Sequence, residues 1–133
     1  MTEMIEPKWV SEETVLKIHQ RQISEFGGSE GVRDMGLLQS ALARPQNAFH
    51  YNQVTSLTRL AVAYAFGIAK NHAFIDGNKR TALVTSFLFL MKNDFIIKAT
   101  DEERFTAILS VAEGIMDEEQ LTQWLDKHAV KNS

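Results

Sequence analysis

Apolar side chains recur at helical spacing along most of the chain, and one polar stretch separates the two strongest runs. Before it, the pattern predicts a helix from Thr55 or Ser56 to about Lys70, with apolar positions at Leu57, Leu60, Ala61, Tyr64, Ala65 and Ile68. After it, residues 82–91 are apolar on almost every side, which predicts a helix buried all round. The stretch between them, residues 72–80, reads His-Ala-Phe-Ile-Asp-Gly-Asn-Lys-Arg.

Four more helices are predicted by the remaining periodicity. Their start signals are Ser11, Asp34, a capping box of Thr100 and Glu103, and Asp117. The first is expected to end at Gly27-Gly28 after burying Val15, Ile18, Ile23 and Phe26. The second is expected to end at Arg44-Pro45, because proline drives the residue before it out of the helical region. About six helices joined by short loops predict a compact, all-α single domain over residues 1–133.

The other segments are predicted to be irregular or extended. Residues 27–36 hold four glycines but lack the Gly-Lys-Ser/Thr ending of a P-loop, so we interpret them as a connector. Residues 45–55 are expected to form a loop. Residues 95–97 form a short apolar run that predicts a strand-like edge, and residues 129–133 are expected to fray. Residues 1–10 predict an irregular lead-in anchored by Trp9 and Val10.

Composition narrows the class of protein. The 133 residues are 44% hydrophobic and 23% charged, which is typical of an ordinary globular domain. There is no cysteine, and residues 1–7 carry two acids and no base, so we expect no signal peptide and a cytoplasmic location. The longest apolar run, residues 82–91, is too short to span a bilayer, and we expect no membrane association.

Charge is distributed unevenly around the polar stretch. The net charge is −3, but residues 59–98 carry six bases and two acids, whereas the rest of the chain carries eight bases and fifteen acids. A positive region in an acidic protein favours a small anionic ligand over a long nucleic-acid backbone, which requires a basic face across the domain. We therefore expect no direct nucleic-acid partner.

The polar stretch combines a candidate base with a candidate metal ligand. His72 has a side chain that can exchange a proton at neutral pH. Asp76 supplies the hard oxygen that Mg²⁺ prefers. His19 is interpreted as a partly exposed polar residue of a helix, because no second ligand type is spaced to join it. His50 is interpreted as a surface residue, with contact to substrate as the alternative.

The second half of the stretch has the features of a phosphate site. Asp76-Gly77-Asn78 is a turn and helix-start signal, in which Asp76 or Asn78 is expected to cap the next helix, and the amides at a helix N-terminus bind anions. We expect the amides of Gly77 and Asn78 to form this anion site. Lys79 and Arg80 would place two cations where they oppose the helix dipole, and an anionic ligand is the simplest compensation. A base, a metal ligand, two cations and free amides suit transfer of a phosphate-containing group from a nucleotide.

These residues resemble the signature of the Fic/Doc superfamily. Fic enzymes read His-Pro-Phe-x-Asp/Glu-Gly-Asn-Gly-Arg, usually with a second arginine three residues on. This chain has Ala73, Lys79 and Leu83 at the proline, second glycine and second arginine positions, and these departures resemble the Doc ("death on curing") toxins. The resemblance extends to residues 26–45, and it implies a helical fold around a central buried helix, with residues 45–55 corresponding to a flap that aligns a target peptide.

Lys79 bears on the reaction that the resemblance implies. A glycine there in Fic enzymes leaves room for the α- and β-phosphates, so AMP is transferred, whereas Doc-like sites bind ATP reversed and act as kinases on translation elongation factor Tu. Gly77 is the Fic-like residue, where Doc has alanine. The implied activity is therefore γ-phosphate transfer from ATP with Mg²⁺ to a protein hydroxyl, and AMP transfer is the alternative. Two others remain: a non-catalytic nucleotide-binding module, and a toxin that blocks translation by binding the ribosome or RNA.

The resemblance also implies that a separate antitoxin inhibits this protein. Self-restrained Fic enzymes carry a helix reading Ser/Thr-x-x-x-Glu-Gly/Asn. In this sequence only Glu30 and Glu113 precede Gly or Asn, and Phe26 and Leu109 stand four residues earlier. The pattern is absent, so we expect a separate antitoxin that folds as an amphipathic helix into an apolar groove.

Overall fold

A computed structural model describes residues 5–132 of the chain. Within those residues there are six helices: α1 (Glu12–Phe26), α2 (Met35–Asn52), α3 (Leu57–Asn71), α4 (Asn78–Lys92), α5 (Asp101–Ala112) and α6 (Glu118–His128). Two short strands, β1 (Phe95–Ile97) and β2 (Ala129–Lys131), pair antiparallel, with Ile96 opposite Val130. The predicted all-α class is confirmed. No helix in this part of the chain has the length and apolarity needed to cross a bilayer.

The helix at the centre of the fold is α3, which is buried without interruption from Leu60 to Ala69 and packs between α2 and α4. Its Tyr64 hydroxyl accepts a hydrogen bond from the Val10 amide at 3.0 Å, and this bond anchors the segment before α1 at Val10, as expected. Burial raises the pKa of Tyr64 to about 12. The prediction that residues 82–91 are buried all round is only partly right, because Met91 is 58% exposed.

Helix starts follow the sequence closely. Ser11, Asp34 and Ser56 each accept a hydrogen bond from an amide in the first turn, and Thr100 and Glu103 form the predicted capping box. Asp117 begins α6 as expected. These signals are local, and so they can be recognised without knowing the packing.

The predicted end of α2 at Pro45 is wrong, because the helix continues to Asn52 and Pro45 is buried inside it. A proline in a helix interior removes one hydrogen bond, here to the Ala41 carbonyl, at a cost of about 3 kcal/mol. Burial of Leu42, Pro45 and Phe49 on the same helix compensates. Residues 45–52 are therefore helical rather than part of a loop or an extended flap.

Three smaller expectations also fail. Residues 129–131 form β2 instead of fraying, and the Asn132 amide donates to the Asp94 carbonyl at 2.7 Å. Phe26 is 57% exposed and Ile18 is only half-buried, although both were expected to be in the core. The expectations for residues 1–4 and 133 lie outside the described residues.

Candidate active site

Residues 72–77 of the polar stretch form the connection from α3 to α4, and residues 78–80 are the first turn of α4. α3 ends at Asn71, and His72 follows in the left-handed conformation, with φ 51° and ψ 47°. Ala73 and Phe74 are buried, so the loop is anchored between its two exposed chemical groups, His72 and Asp76. We call residues 72–80 the motif loop.

Asn78 folds the motif loop onto itself. Its side-chain oxygen accepts from the Phe74 amide at 3.0 Å, and its side-chain nitrogen donates to the Phe74 carbonyl at 3.0 Å. The side chain is buried and does not point to a ligand site. The expectation that Asp76 or Asn78 caps α4 is wrong, because Gly77 occupies the cap position with φ 76° and no side-chain cap is formed.

Asp76 is held by backbone amides on both of its carboxylate oxygens. Oδ1 accepts from the Gly77 amide at 2.9 Å, and Oδ2 accepts from the Ser29 amide at 3.3 Å. A Cβ added to Gly28 would lie 2.6 Å from Oδ2, so only glycine permits this approach. The Gly77 amide is engaged in this contact. The free amides at the start of α4 are therefore those of residues 78–80, because the first helical hydrogen bond runs from the Thr81 amide to the Gly77 carbonyl at 3.0 Å.

His19 supports the loop from α1, and the expectation that it is partly exposed is wrong. It is 3% exposed, its ring stacks on Phe74 with the centroids 3.8 Å apart, and its Nε2 donates to the Asp76 carbonyl oxygen at 2.8 Å. A carbonyl only accepts, so Nε2 carries a proton. The only signal in the sequence was its spacing: His19 follows Val15 by four residues and precedes Ile23 by four, which places it on the buried face of the helix. His50 does lie at the surface, with Nε2 2.9 Å from Glu6 Oε1.

Residues 27–36 were expected to be a connector, but residues 27–34, which we call the glycine loop, pack along the motif loop, and α2 begins at Met35. The Ile75 amide donates to the Gly31 carbonyl at 3.1 Å, and Val32 and Phe74 form an antiparallel bridge. It also supplies the Ser29 amide to Asp76. This loop is therefore part of the site rather than a linker between helices.

A cleft of about 570 Å³ lies in front of the motif loop, and we call it the motif cleft. It is lined by His72, Asp76, Gly77, Asn78, Lys79 and Arg80, together with apolar side chains from α1 and α5. The Arg80 guanidinium carbon lies 4.3 Å above the Phe26 ring and 6.0 Å from the Phe105 ring, which fixes its direction. Among residues 5–132, neither Lys79 nor Arg80 is in an ion pair.

The described side chains at the site are too few to bind a metal ion without help from a ligand. Within the described residues no group of three or more His, Asp or Glu is close enough to bind one. Mg²⁺ usually keeps several waters and binds one or two carboxylates plus substrate phosphates, so the exposed Asp76 fits Mg²⁺ that arrives with a nucleotide.

The motif loop lies inside the part of the chain that matches a known protein family. A family model described as the Fic/DOC family matches residues 9–90, which include the glycine loop and the whole motif loop. "Protein kinase doc" of Escherichia phage P1 is 36% identical over 84 residues, 63% of this chain and 67% of the relative. "Toxin Doc" of Mycolicibacterium smegmatis is 45% identical over 69 residues, 51% of this chain and 53% of the relative. The chain therefore spans about two thirds of one relative and about half of the other.

Proposed function

The chain belongs to the Fic/Doc family, and we propose that it is a Doc-like toxin that transfers the γ-phosphate of ATP to a hydroxyl group of a target protein. The observation that carries this proposal is the motif cleft, in which Lys79 and Arg80 have no acidic ion-pair partner among the described residues and lie beside exposed His72 and Asp76. The relatives' names, a kinase and a toxin, support it.

Each group has a role in the proposed transfer. His72 accepts the proton of the attacking hydroxyl as the oxygen forms a bond to the γ-phosphorus and ADP leaves. Lys79 and Arg80 bind the phosphates, Arg80 through its planar fork. The amides of Gly77 and Asn78 remain the predicted anion site, which requires Asp76 to release the Gly77 amide when phosphate binds. Asp76 would hold Mg²⁺, which supplies charge neutralisation on the phosphate oxygens.

Lys79 supports phosphate transfer over AMP transfer. Its exposed side chain lies in the first turn of α4 and lines the cleft, where a glycine would place no side chain. A long cation there attracts the terminal phosphate and crowds the position that an α-phosphate requires for attack. AMP transfer remains the second candidate because Gly77 matches the Fic pattern.

The proposed partners are a target in translation and an antitoxin. Translation elongation factor Tu is proposed as the target from the resemblance to Doc toxins. For the antitoxin, the motif cleft has an exposed apolar rim: Phe26 and Ile75 are each 57% exposed, and Phe105 is 42% exposed. A rim of this kind suits the apolar face of an amphipathic helix, which would also cover His72.

Expression of the chain alone and with a candidate antitoxin tests the biological proposal. We expect growth arrest from the chain alone, relief by the antitoxin, and a mass increase of about 80 Da on the target isolated from arrested cells, the value for one phosphate. A gain of about 329 Da would assign AMP transfer instead. Arrest with no mass change on any translation factor would favour direct blockage of translation.

A further inference from the structure

We propose that Arg33 of the glycine loop is a positioning residue that fixes the backbone of His72 and thereby orients the proposed base. The proposal rests on the assignment of His72 as that base. His72 adopts a left-handed conformation, which is unfavourable for a residue with a Cβ, so other contacts must hold it there.

The Arg33 guanidinium makes the contacts that such a role requires. Its Nε donates to the His72 carbonyl oxygen at 2.9 Å, and its Nη2 donates to the same oxygen at 2.6 Å. Nη2 also lies 3.4 Å from the Asn71 carbonyl oxygen. Both carbonyls belong to the end of α3, where carbonyls lack helical partners and carry partial negative charge, so a cation with several donors is favourable there.

The backbone of the same residue extends the restraint by one position. The Arg33 amide donates to the Ala73 carbonyl at 2.7 Å, and the next amide, of Asp34, donates to it at 3.0 Å. Three successive carbonyls, of residues 71, 72 and 73, thus accept from Arg33 or its neighbour. Rotation of the His72 backbone would break several of these bonds at once.

An ordinary solvated arginine does not account for this geometry. Within residues 5–132 Arg33 is in no ion pair, and the adjacent Asp34 carboxylate instead caps α2 by accepting from Leu37. Arg21 provides a contrast, because it is also exposed but pairs with Glu25 one turn away on α1. Arg33 does not line the motif cleft, so its loss leaves the cations that would bind ATP in place.

A positioning role predicts a loss of turnover without a loss of nucleotide binding. For Arg33→Ala we expect kcat to fall by about 10- to 100-fold, the effect of a misplaced catalytic group, with KM for ATP within about twofold of the parent. Arg33→Lys keeps the charge but not the fork, so we expect an intermediate kcat. Arg21→Ala is the matched control and should leave both constants unchanged.

The test combines kinetics with a readout that does not need activity. The full chain is labelled with ¹³C and ¹⁵N, and the backbone shifts of His72 and Ala73 report whether the left-handed conformation is kept. We expect these shifts to move in Arg33→Ala and not in Arg21→Ala, and millimolar guanidinium to restore part of the kcat of Arg33→Ala. Unchanged His72 shifts, an unchanged kcat, or a parallel loss of kcat, ATP affinity and melting temperature would each overturn the proposal. If the parent chain transferred no phosphate, the proposed function would fail, and the shifts would still decide whether Arg33 holds His72.

Discussion

Two clefts of the same volume, about 570 Å³ each, are lined by different residues and differ in how their cations are paired. The motif cleft lies in front of residues 72–80. The second cleft, which we call the helical cleft, lies among α2, α3 and α6, and its lining includes Arg44, Arg59 and Glu118. Size alone therefore does not distinguish a functional site from a gap between helices.

The cations of the two clefts have different partners. In the helical cleft, Arg44 pairs with Glu118, and Arg59 pairs with Glu119 at 3.0 Å. Hydrogen bonding to Glu119, and then its charge, raises the pKa of Arg59. In the motif cleft, Lys79 and Arg80 are in no ion pair with any described residue, which leaves their charge for a ligand. Two cations at a helix N-terminus, with no ion-pair partner among the described residues, indicate the anion site better than cleft volume does.

The largest expected effect comes from removing the proposed base. His72→Ala is expected to lower phosphate transfer by about 100- to 10,000-fold, the range for loss of a general base. His72 is exposed in a loop, so the melting temperature should hardly change. His50→Ala, which removes an exposed histidine paired with Glu6, is the control and should retain full transfer. Near-normal transfer by His72→Ala would show that His72 is not the general base.

Substitution of single cations should affect ATP binding in the motif cleft and not in the helical cleft. Arg80→Ala is expected to weaken ATP binding by about 10- to 100-fold, since a hydrogen bond to a charged group contributes about 1.5–3 kcal/mol. Lys79→Gly should weaken γ-phosphate transfer and create room for AMP transfer. Arg59→Ala, in the helical cleft, should leave ATP affinity unchanged by calorimetric titration. Equal losses from Arg80→Ala and Arg59→Ala would erase the distinction between the clefts.

Stability should respond most in the helical cleft. A Cβ on Gly67 of α3 would lie 3.1 Å from the Ala41 carbonyl oxygen and 3.2 Å from the Ala41 Cα, both of them backbone atoms of α2. Gly67→Ala is therefore expected to reduce the free energy of unfolding by about 1–3 kcal/mol through overpacking. ATP affinity should be retained in the folded protein. Urea unfolding and titration with ATP measure the two quantities separately.

The smallest expected effect concerns His19. His19→Phe keeps an aromatic ring against Phe74 but removes the donor to the Asp76 carbonyl, a bond worth about 0.5–1.5 kcal/mol. We expect roughly a 2- to 10-fold rise in the Mg²⁺ concentration needed for half-maximal transfer, because Asp76 is less well fixed. His19→Gln, which keeps a donor, should recover part of this loss. No change in Mg²⁺ dependence would restrict His19 to a packing role.

The sequence predicted what is local and missed what depends on distant packing. The motif loop, strand β1 and the N-terminal caps of every helix except α4 are all encoded within a few residues, and each lies where the pattern indicated. The helix through Pro45 depends on burial against α3, and β2 depends on pairing with residues 32 to 36 positions away. Both required knowledge of the tertiary structure.

Candidate site residues show the same division. His72, Asp76, Lys79 and Arg80 do lie together in one cleft, because they are close in sequence. His19 reaches the motif loop from 57 residues away, and its helical spacing indicated only a buried face. Phe26 and Phe105 have the periodicity of core residues, yet they form the exposed rim of a cleft. Periodicity cannot separate these two environments, since both are apolar faces of helices.

The most direct test of the central claim follows the two labelled phosphates of ATP into the target protein. Purified chain is incubated with Mg²⁺, a candidate elongation factor, and ATP labelled at either the γ- or the α-phosphate, in parallel with His72→Ala and Arg59→Ala. The account predicts γ-label on the target with the parent chain and with Arg59→Ala, and none with His72→Ala. Transfer of α-label alone would make the protein an AMP-transferase, and γ-label transfer that survives His72→Ala would contradict the assignment of the motif cleft as the active site.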